Sequence, residues 1–212
     1  MVHLSYLPNP ASLDDHLYDR SLQTLREDLA RANRLGAAFF VVHPGTCAAE
    51  HKAEGLTRVI RGIESALAAV HGPTMLLLEN QGSKRRDIAA DLDELVLLLT
   101  NLDPARVGIC LDTCHAFVAG YDLRDLDGWR ATLTTIAGKV GLDRLKVIHA
   151  NDSRGDLGSG LDRHEHIGQG FLGEAAFAAM GRLPELGRMT VILETPQDCQ
   201  IGRASWWGIE FI

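Results

Sequence analysis

The stretch Val107-Gly-Ile-Cys-Leu-Asp-Thr-Cys-His-Ala-Phe-Val-Ala-Gly-Tyr-Asp122 decides the fold of this chain. It begins with a short apolar run of the kind that forms a buried strand in a parallel sheet. With a period of two, Cys110 and Asp112 face one side of the sheet, and the residues between them face the other side. Asp112 then ends the strand and His115 follows it, at the place where α/β proteins keep their chemistry. The alternative is that Asp112 or Thr113 only caps a helix and His115 is a surface residue.

The same arrangement recurs along the chain. Four more apolar runs, 37–43, 74–80, 145–152 and 189–195, carry a metal-ligating side chain at or near their ends, and these are His43, Glu79, His149 and Glu194. Together with Asp112, neighbours in this series are 33 to 45 residues apart, which suits one βα unit of roughly 30 or more residues. Amphipathic helical patterns lie between the runs, at 14–35, 53–70, 87–102, 128–140 and 174–180. The sequence therefore predicts a parallel α/β fold in a single domain over residues 1–212.

Composition narrows the class of protein. The chain has 212 residues, 46% of them hydrophobic and 23% charged, as in an ordinary globular domain. No apolar stretch is long enough for a transmembrane helix, and no secretory signal is visible, so we expect no membrane partner. The four cysteines form no C-x-x-C pattern, which fits the reducing cytoplasm. Cys110 and Cys114 are either thiolate ligands or, as we favour, small buried packing residues.

The polar segment 151–170 is the one place where a loop instead of a helix follows a strand. It is rich in glycine and carries Asp162, His164 and His166 at alternating positions, which places them on one side of an extended loop. In isolation this segment would be a solvated surface loop. Because it follows the strand that ends at His149, it is a candidate metal-binding loop.

The predicted ligands are too many for one ion. One tetrahedral ion takes about four ligands, so eight or more imply two or three ions with a bridging carboxylate. A mixture of imidazoles and carboxylates without an organised cysteine set favours zinc or manganese. Neighbouring divalent ions suit hydrolysis of a phosphate ester. No P-loop, Gly-x-Gly-x-x-Gly or Gly-x-Ser-x-Gly pattern follows a strand, so no nucleotide cofactor is expected.

Seven segments resemble the endonuclease IV family of zinc-dependent apurinic/apyrimidinic (AP) endonucleases of base-excision DNA repair. In order along residues 2–196 they are His3-x-Ser5-Tyr6-Leu7, His43-Pro44-Gly45, Leu78-Glu79-Asn80, Leu111 to Asp122, His149-x-Asn151-Asp152, Asp162-Arg163-His164 with Ile167-Gly168-x-Gly170, and Leu193-Glu194-Thr195-Pro196. The resemblance implies a TIM (β/α)₈-type barrel with about three zinc ions. It also implies hydrolysis of the phosphodiester 5′ to abasic sites in double-stranded DNA.

The resemblance also assigns roles to individual residues. It implies one zinc held by His3, His43 and Glu79, a second shared by Glu79 with Asp112, His149 and Glu194, and a third held by His115, Asp162 and His164. Glu79, Asp112 and Glu194 would act in catalysis through the ions that activate the attacking hydroxide. Tyr6 and Leu7 match positions that press into the minor groove at the lesion, and the alternative for both is simple strand packing. Arg154 and Arg163 are expected to contact phosphates.

Several features depart from the family pattern. The net charge of −7 has the wrong sign for binding phosphates, although bound zinc would offset the ligand carboxylates. Lys84-Arg85-Arg86 stands where the family has a Gly-rich loop, and it either meets phosphates or is a solvated basic cluster. A full barrel needs about 250 residues, whereas six strands are predicted here, so we expect an incomplete barrel without the first two βα units. The tail 197–212, with Trp206-Trp207, does not resemble the family's closing helix.

Two other functions are consistent with parts of the pattern. A sugar isomerase or epimerase of the xylose-isomerase-like barrels would use one metal, held by Glu79, Asp112, His149 and Glu194. Such an enzyme would not use the other five predicted ligands to bind its metal. An inactive fragment or a zinc-stabilised binding module would hold metal and bind damaged duplex without cutting it.

Overall fold

A computed structural model describes residues 1–196, and the predicted tail 197–212 lies outside the described residues. The strands are β1 Val2–His3, β2 Phe39–Val42, β3 Met75–Glu79, β4 Val107–Asp112, β5 Leu145–His149, β6 Asp152–Ser153, β7 His164–Glu165 and β8 Thr190–Ile192. The helices are α1 Asp15–Arg34, α2 Lys52–Ala69, α3 Leu92–Thr100, α4 Thr113–Val118, α5 Leu126–Val140 and α6 Gly173–Gly181. Short 3₁₀ turns cover Ala49–His51, Leu142–Arg144 and Pro184–Leu186.

Six strands form one curled parallel sheet in the order β1-β2-β3-β4-β5-β8. Consecutive strands of this sheet are neighbours, with β6 and β7 pairing separately as a small antiparallel ladder. The register places Asp112 opposite His149, and Glu79 opposite Cys110. Because all six strands run in the same direction, the side chains that follow them meet at one edge of the sheet.

The two faces of the sheet are packed differently. The larger core joins one face to the helices and includes Ile109, Leu111, Phe117 and Trp129, all fully buried. The opposite face carries the smaller cluster of Val41, Leu77, Cys110 and Val147, which are also fully buried. This division confirms the expected alternation along β4 and places the residues at its end on the inner side of the curled sheet.

The structure departs from the sequence prediction at three connections. Helix α3 begins at Leu92 rather than near 87, because Ala89 has a positive φ of 63° that interrupts helical geometry. The short helix α4 begins directly after Asp112, where a simple connection was expected. The candidate loop 151–170 is held by the β6–β7 ladder instead of being open throughout. Within residues 1–196, no helix is both long and apolar enough to cross a membrane.

Candidate metal centre

The nine predicted ligands converge at the carboxyl edge of the sheet, although they come from positions spread over more than 190 residues. Within the described chain, three groups made only of these residues have candidate ligand atoms within 4.8 Å of one another, and two further groups include Cys110 or Cys114. The three groups are His3, His43 and Glu79; Glu79, Asp112, His149 and Glu194; and His115, Asp162 and His164. The grouping matches the one that the resemblance implied, with Glu79 shared between the first two groups.

Glu79 is the centre of this cluster. It is fully buried at the end of β3, and both of its carboxylate oxygens face imidazoles. Its Oε2 lies 2.8 Å from His3 Nε2 and 3.0 Å from His43 Nε2, and its Oε1 lies 2.9 Å from His149 Nδ1. Two ligands of one tetrahedral zinc ion lie about 3.3 Å apart when each bond is about 2.0–2.1 Å. These separations therefore suit a bridging carboxylate.

Asp112 combines the two roles that the sequence left as alternatives. Its Oδ1 accepts a hydrogen bond of 2.8 Å from the backbone N–H of His115 and so caps helix α4. Its Oδ2 faces the cluster, 3.8 Å from His164 Nε2 and 4.0 Å from His149 Nδ1. The cap fixes the carboxylate, because rotating it toward solvent would expose an unpaired N–H in the first turn of α4.

Three imidazoles are oriented by backbone carbonyl groups in the manner of metal ligands. Nδ1 of His3 lies 2.7 Å from the carbonyl of Leu4, and Nδ1 of His115 lies 2.8 Å from that of Asn80. Nδ1 of His164 lies 3.1 Å from the carbonyl of Glu194. A proton on Nδ1 donates to each carbonyl and leaves the lone pair on Nε2, which faces a carboxylate of the cluster. The donor set therefore fits divalent metal ions.

The ion pairs at the site join imidazoles to carboxylates. Within residues 1–196, the ion pairs of Glu79, Asp112, Asp162 and Glu194 are all with histidines. Burial would raise the pKa of Glu79, but hydrogen bonds from His149, His3 and His43 hold this pKa well below its usual range. Glu79 therefore stays ionised and gives this edge of the sheet negative charge that attracts divalent cations.

The histidine pKa values shift in the opposite direction. Burial alone would lower the pKa of His115, but the charge of Asp112 and the contact with Asp162 raise it well above the usual value. Burial would also lower the pKa of His149, but polar contacts with Cys110, Glu194 and Glu79 raise this pKa above its usual value. Both shifts measure how strongly the carboxylates stabilise a positive charge placed among them.

Asn80, Thr113 and Asn151 position the ligands, a role that the sequence patterns did not indicate. Asn80 exchanges two hydrogen bonds with the backbone of Asp112, at 2.7 and 3.0 Å. The Asn151 amide donates to Asp112 Oδ2 at 2.6 Å and accepts from the backbone N–H of Glu194 at 2.7 Å. Thr113 Oγ1 bonds to the backbone of Asn151. Their position directly after a ligand, or two residues beyond one, was the available signal.

Asp152 joins the two ends of the loop that supplies Asp162 and His164. Its carboxylate is fully buried and accepts hydrogen bonds from five backbone N–H groups, those of Ser153, Gly168, Gly170, Leu172 and Gly173. The Gly168-x-Gly170 spacing follows from this arrangement, since a Cβ on Gly170 would lie 2.5 Å from Asp152 Oδ1. Asp152 thus fixes both ends of the loop relative to the cluster.

The remaining predicted residues lie around the solvent-exposed rim of the metal centre. The side chains of Tyr6 and Leu7 are 92% and 87% exposed, so neither packs in the core. Arg154 forms an ion pair of 2.8 Å with Glu165, and Arg163 extends beside the backbone carbonyl of Asp162. A cavity of about 440 Å³ beneath this rim is lined by residues that include His3, Tyr6, His43 and Asp162.

His166, Cys110 and Cys114 are buried residues near the predicted ligands in sequence. His166 is buried outside the metal-type groups found in the described chain. Cys110 and Cys114 are buried, and each lies among candidate ligands, the first with Glu79 and His149. Burial raises the pKa of both thiols to about 12, and the preference for packing over thiolate ligation stays a prediction.

Comparison with known proteins assigns the architecture. Residues 1–211 match the family model described as xylose isomerase-like TIM barrel. The chain is 44% identical over 198 residues to a probable endonuclease 4 of Methanoculleus marisnigri, covering 92% of this chain and 70% of that protein. It is 41% identical to a probable endonuclease 4 of Halothermothrix orenii, covering 93% of this chain and 71% of that protein. The predicted TIM-barrel class is therefore confirmed.

Solved structures give the same result. The crystal structure of endonuclease IV from Thermus thermophilus is similar with a TM-score of 0.79 and 36% identity, covering 93% of this chain and 69% of that one. A D-tagatose 3-epimerase-like protein is similar with a TM-score of 0.78 and 21% identity, covering 96% and 73% of the two chains. The second likeness concerns the fold alone, so the two candidate chemistries must be separated by the side chains of the site.

Proposed function

The chain belongs to the endonuclease IV family of xylose isomerase-like TIM barrels, and from this premise we propose that it is a zinc-dependent DNA repair endonuclease. Its reaction is hydrolysis of the phosphodiester 5′ to abasic sites in duplex DNA during base-excision repair. Manganese is the second metal compatible with this mixture of imidazole and carboxylate ligands.

The observation that carries the proposal is the division of nine ligands into three adjoining groups. A one-metal epimerase needs only the group of Glu79, Asp112, His149 and Glu194. The other five side chains, together with the shared Glu79, complete two further groups beside it, and three of their imidazoles come from outside the β3–β5 region. Burying or half-burying so many ionisable groups without a task would destabilise the fold, so their retention favours a cluster of ions.

The three groups would each hold one ion, with Glu79 bridging the first two. When bound, such ions act as Lewis acids toward a phosphodiester and toward the water that attacks it. The chain's own contribution is orientation. Asn80 and Asn151 fix Asp112, the carbonyl of Leu4 fixes His3, and the carbonyl of Glu194 fixes His164.

Two carboxylates of the cluster remain accessible to a substrate. The side chain of Glu194 is 34% exposed and that of Asp162 is 48% exposed, whereas those of Glu79 and Asp112 are buried. Glu194 is held at its backbone by Asn151, and its Oε2 lies 3.1 Å from His149 Nδ1. In this position Glu194 can accept a hydrogen bond from the attacking water and hold it toward the phosphorus.

Recognition of the lesion is assigned to the rim. Tyr6 follows β1 with its ring 5.9 Å from that of His43, so an aromatic side chain stands directly over the metal-binding edge. A wedge of Tyr6 and Leu7 between base pairs compensates for lost stacking, and the cost of extruding a nucleotide is least where the base is already missing. Arg163, and Arg154 on release of its ion pair with Glu165, would meet the phosphates of the same duplex.

The test combines a metal count with an incision assay. We expect about three zinc ions per chain by elemental analysis and incision of a duplex that carries a tetrahydrofuran abasic analogue. Glu194→Gln should reduce incision at least ~100-fold while duplex affinity changes little, because the variant loses a charge at the ions but not the rim. Glu185→Gln, on the 3₁₀ turn that precedes β8, is the matched control. A count of about one ion with no incision favours the epimerase, and unchanged turnover in Glu194→Gln contradicts the mechanism.

A further inference from the structure

The loop between β3 and α3, residues 80–91, is built rigidly around a buried glutamine. The Gln81 amide donates to the carbonyls of Gly45 and Ile88, both at 2.8 Å. Glu94 accepts from the backbone N–H of Ala89 at 3.0 Å and forms an ion pair of 2.8 Å with Lys52. These contacts hold Ala89 at a positive φ, which residues other than glycine rarely adopt. A backbone held by this many contacts keeps the side chains at the tip of the loop in a fixed position.

The tip of this loop lies against the metal centre. A Cβ built on Gly82 would lie 3.4 Å from Cβ of Asp162 and 3.9 Å from Cα of His115. Asp87 closes the turn by accepting from the backbone N–H of Ser83 at 2.8 Å, and it also lines the cavity beneath the rim. The turn between Ser83 and Asp87 is therefore part of the wall around the site.

Three consecutive cations stand on this turn, and their surroundings differ. Lys84 already has two partners, since its Nζ lies 4.5 Å from the centre of the Tyr121 ring and 3.9 Å from a carboxylate oxygen of Asp91. Arg85 and Arg86 are exposed, and neither has an ion pair or a side-chain hydrogen bond with any residue in 1–196. Arg154, by contrast, is already paired with Glu165.

We propose that Arg85 and Arg86 bind phosphate groups of the duplex that enters the site, an inference that rests on the proposed function. In a chain of net charge −7, affinity for a polyanion must come from local cations that are not neutralised by their own carboxylates. A guanidinium also matches the geometry of a phosphate better than an ammonium does. A solvated basic cluster without a ligand, or a surface for an acidic protein, would leave DNA affinity unchanged.

The experiment measures duplex affinity as a function of salt concentration. We compare the wild type, Arg85→Ala with Arg86→Ala, and the matched pair Arg34→Ala with Arg188→Ala, on abasic and undamaged duplexes. Arg34 and Arg188 are exposed and stand before β2 and β8, at the opposite edge of the sheet. Metal content and melting temperature are recorded for each variant.

Each lost phosphate contact should weaken binding about 5-fold near 0.15 M salt, so the Arg85/Arg86 variant should lose about 25-fold. The slope of log K against log salt should fall by about two. Both duplexes are affected equally, with metal content unchanged and the control pair like the wild type. An Arg85/Arg86 variant with the wild-type affinity and slope overturns this inference alone. A wild-type chain that binds neither duplex at low salt overturns the proposed function as well.

Discussion

Replacing Asp152 by asparagine tests whether the loop that supplies Asp162 and His164 is held by a single buried carboxylate. In the folded chain this carboxylate accepts from five backbone N–H groups at 2.8–3.3 Å, and it has no ion-pair partner among residues 1–196. The asparagine side chain would keep one acceptor oxygen but turn an NH₂ group toward backbone donors. Those N–H groups would then be buried without partners or forced to move.

The size of the effect follows from these contacts. A hydrogen bond to a charged group is worth about 1.5–3 kcal/mol, so a simple sum over five bonds approaches the entire stability of a domain. The glycines that donate to Asp152 allow the loop to rearrange before that full cost is reached. We therefore expect a loss of about 3–5 kcal/mol, which lowers the melting temperature of a domain of this size by roughly 6–20 °C.

The assay pairs thermal unfolding with elemental analysis. Because Asp162 and His164 lie on the tethered loop, Asp152→Asn should lose the ion of the third group and fall from about three zinc ions to about two. Asp156→Asn provides the control, since Asp156 lies in the same loop and its carboxylate receives one hydrogen bond within residues 1–196, from the adjacent Leu157. If Asp152→Asn keeps its full metal complement and melts within about 1 °C of the wild type, the loop is held by other contacts.

Three further outcomes are expected. Replacing Tyr6 and Leu7 by alanine should change the free energy of unfolding by less than about 1 kcal/mol, because both residues are exposed. The same variant should incise abasic duplex more slowly. Unfolding curves and an incision assay check both expectations, and unaltered incision would contradict the wedge. The Tyr121 hydroxyl accepts from Leu92 and donates to Asp91, and burial raises its pKa to about 12. Its stabilising contribution should be complete below about pH 10 and lost as the pH rises through about 12, so Tyr121→Phe should show a shallower loss of stability over that interval in denaturant titrations. Removing metal with a chelator should lower the melting temperature, since each site filled at about 1,000 times its Kd adds about 4 kcal/mol to the free energy of unfolding. Re-addition of zinc should restore the melting temperature. An unchanged melting curve would argue against bound metal.

Local sequence patterns were sufficient for the six strands of the main sheet and for the candidate ligands at their ends. Short apolar runs that end in His, Glu or Asp and alternate with helices can satisfy their backbone in a parallel sheet, and parallel strands place their carboxyl ends at one edge. That rule alone brought His43, Glu79, Asp112 and His149 together. It could not place the start of α3, because the positive φ of Ala89 depends on contacts with Gln81 and Glu94, which lie on either side of it in the chain.

Tertiary structure decided how the ligands are grouped and held. Nothing in the alternation of residues 162–166 shows that Asp162 and His164 join His115 while His166 turns into the interior, since this depends on the β6–β7 ladder and on Asp152. The same is true of the basic turn, where only the fold pairs Lys84 with Asp91 and leaves the two arginines without ion pairs in the described part of the chain. The sequence determined which chemical groups reach the edge of the sheet, because the position of a side chain at the end of its own strand is a local property and strands that alternate with helices run parallel. Their pairing depends on distances between segments far apart in the chain, and only the folded molecule specifies those distances.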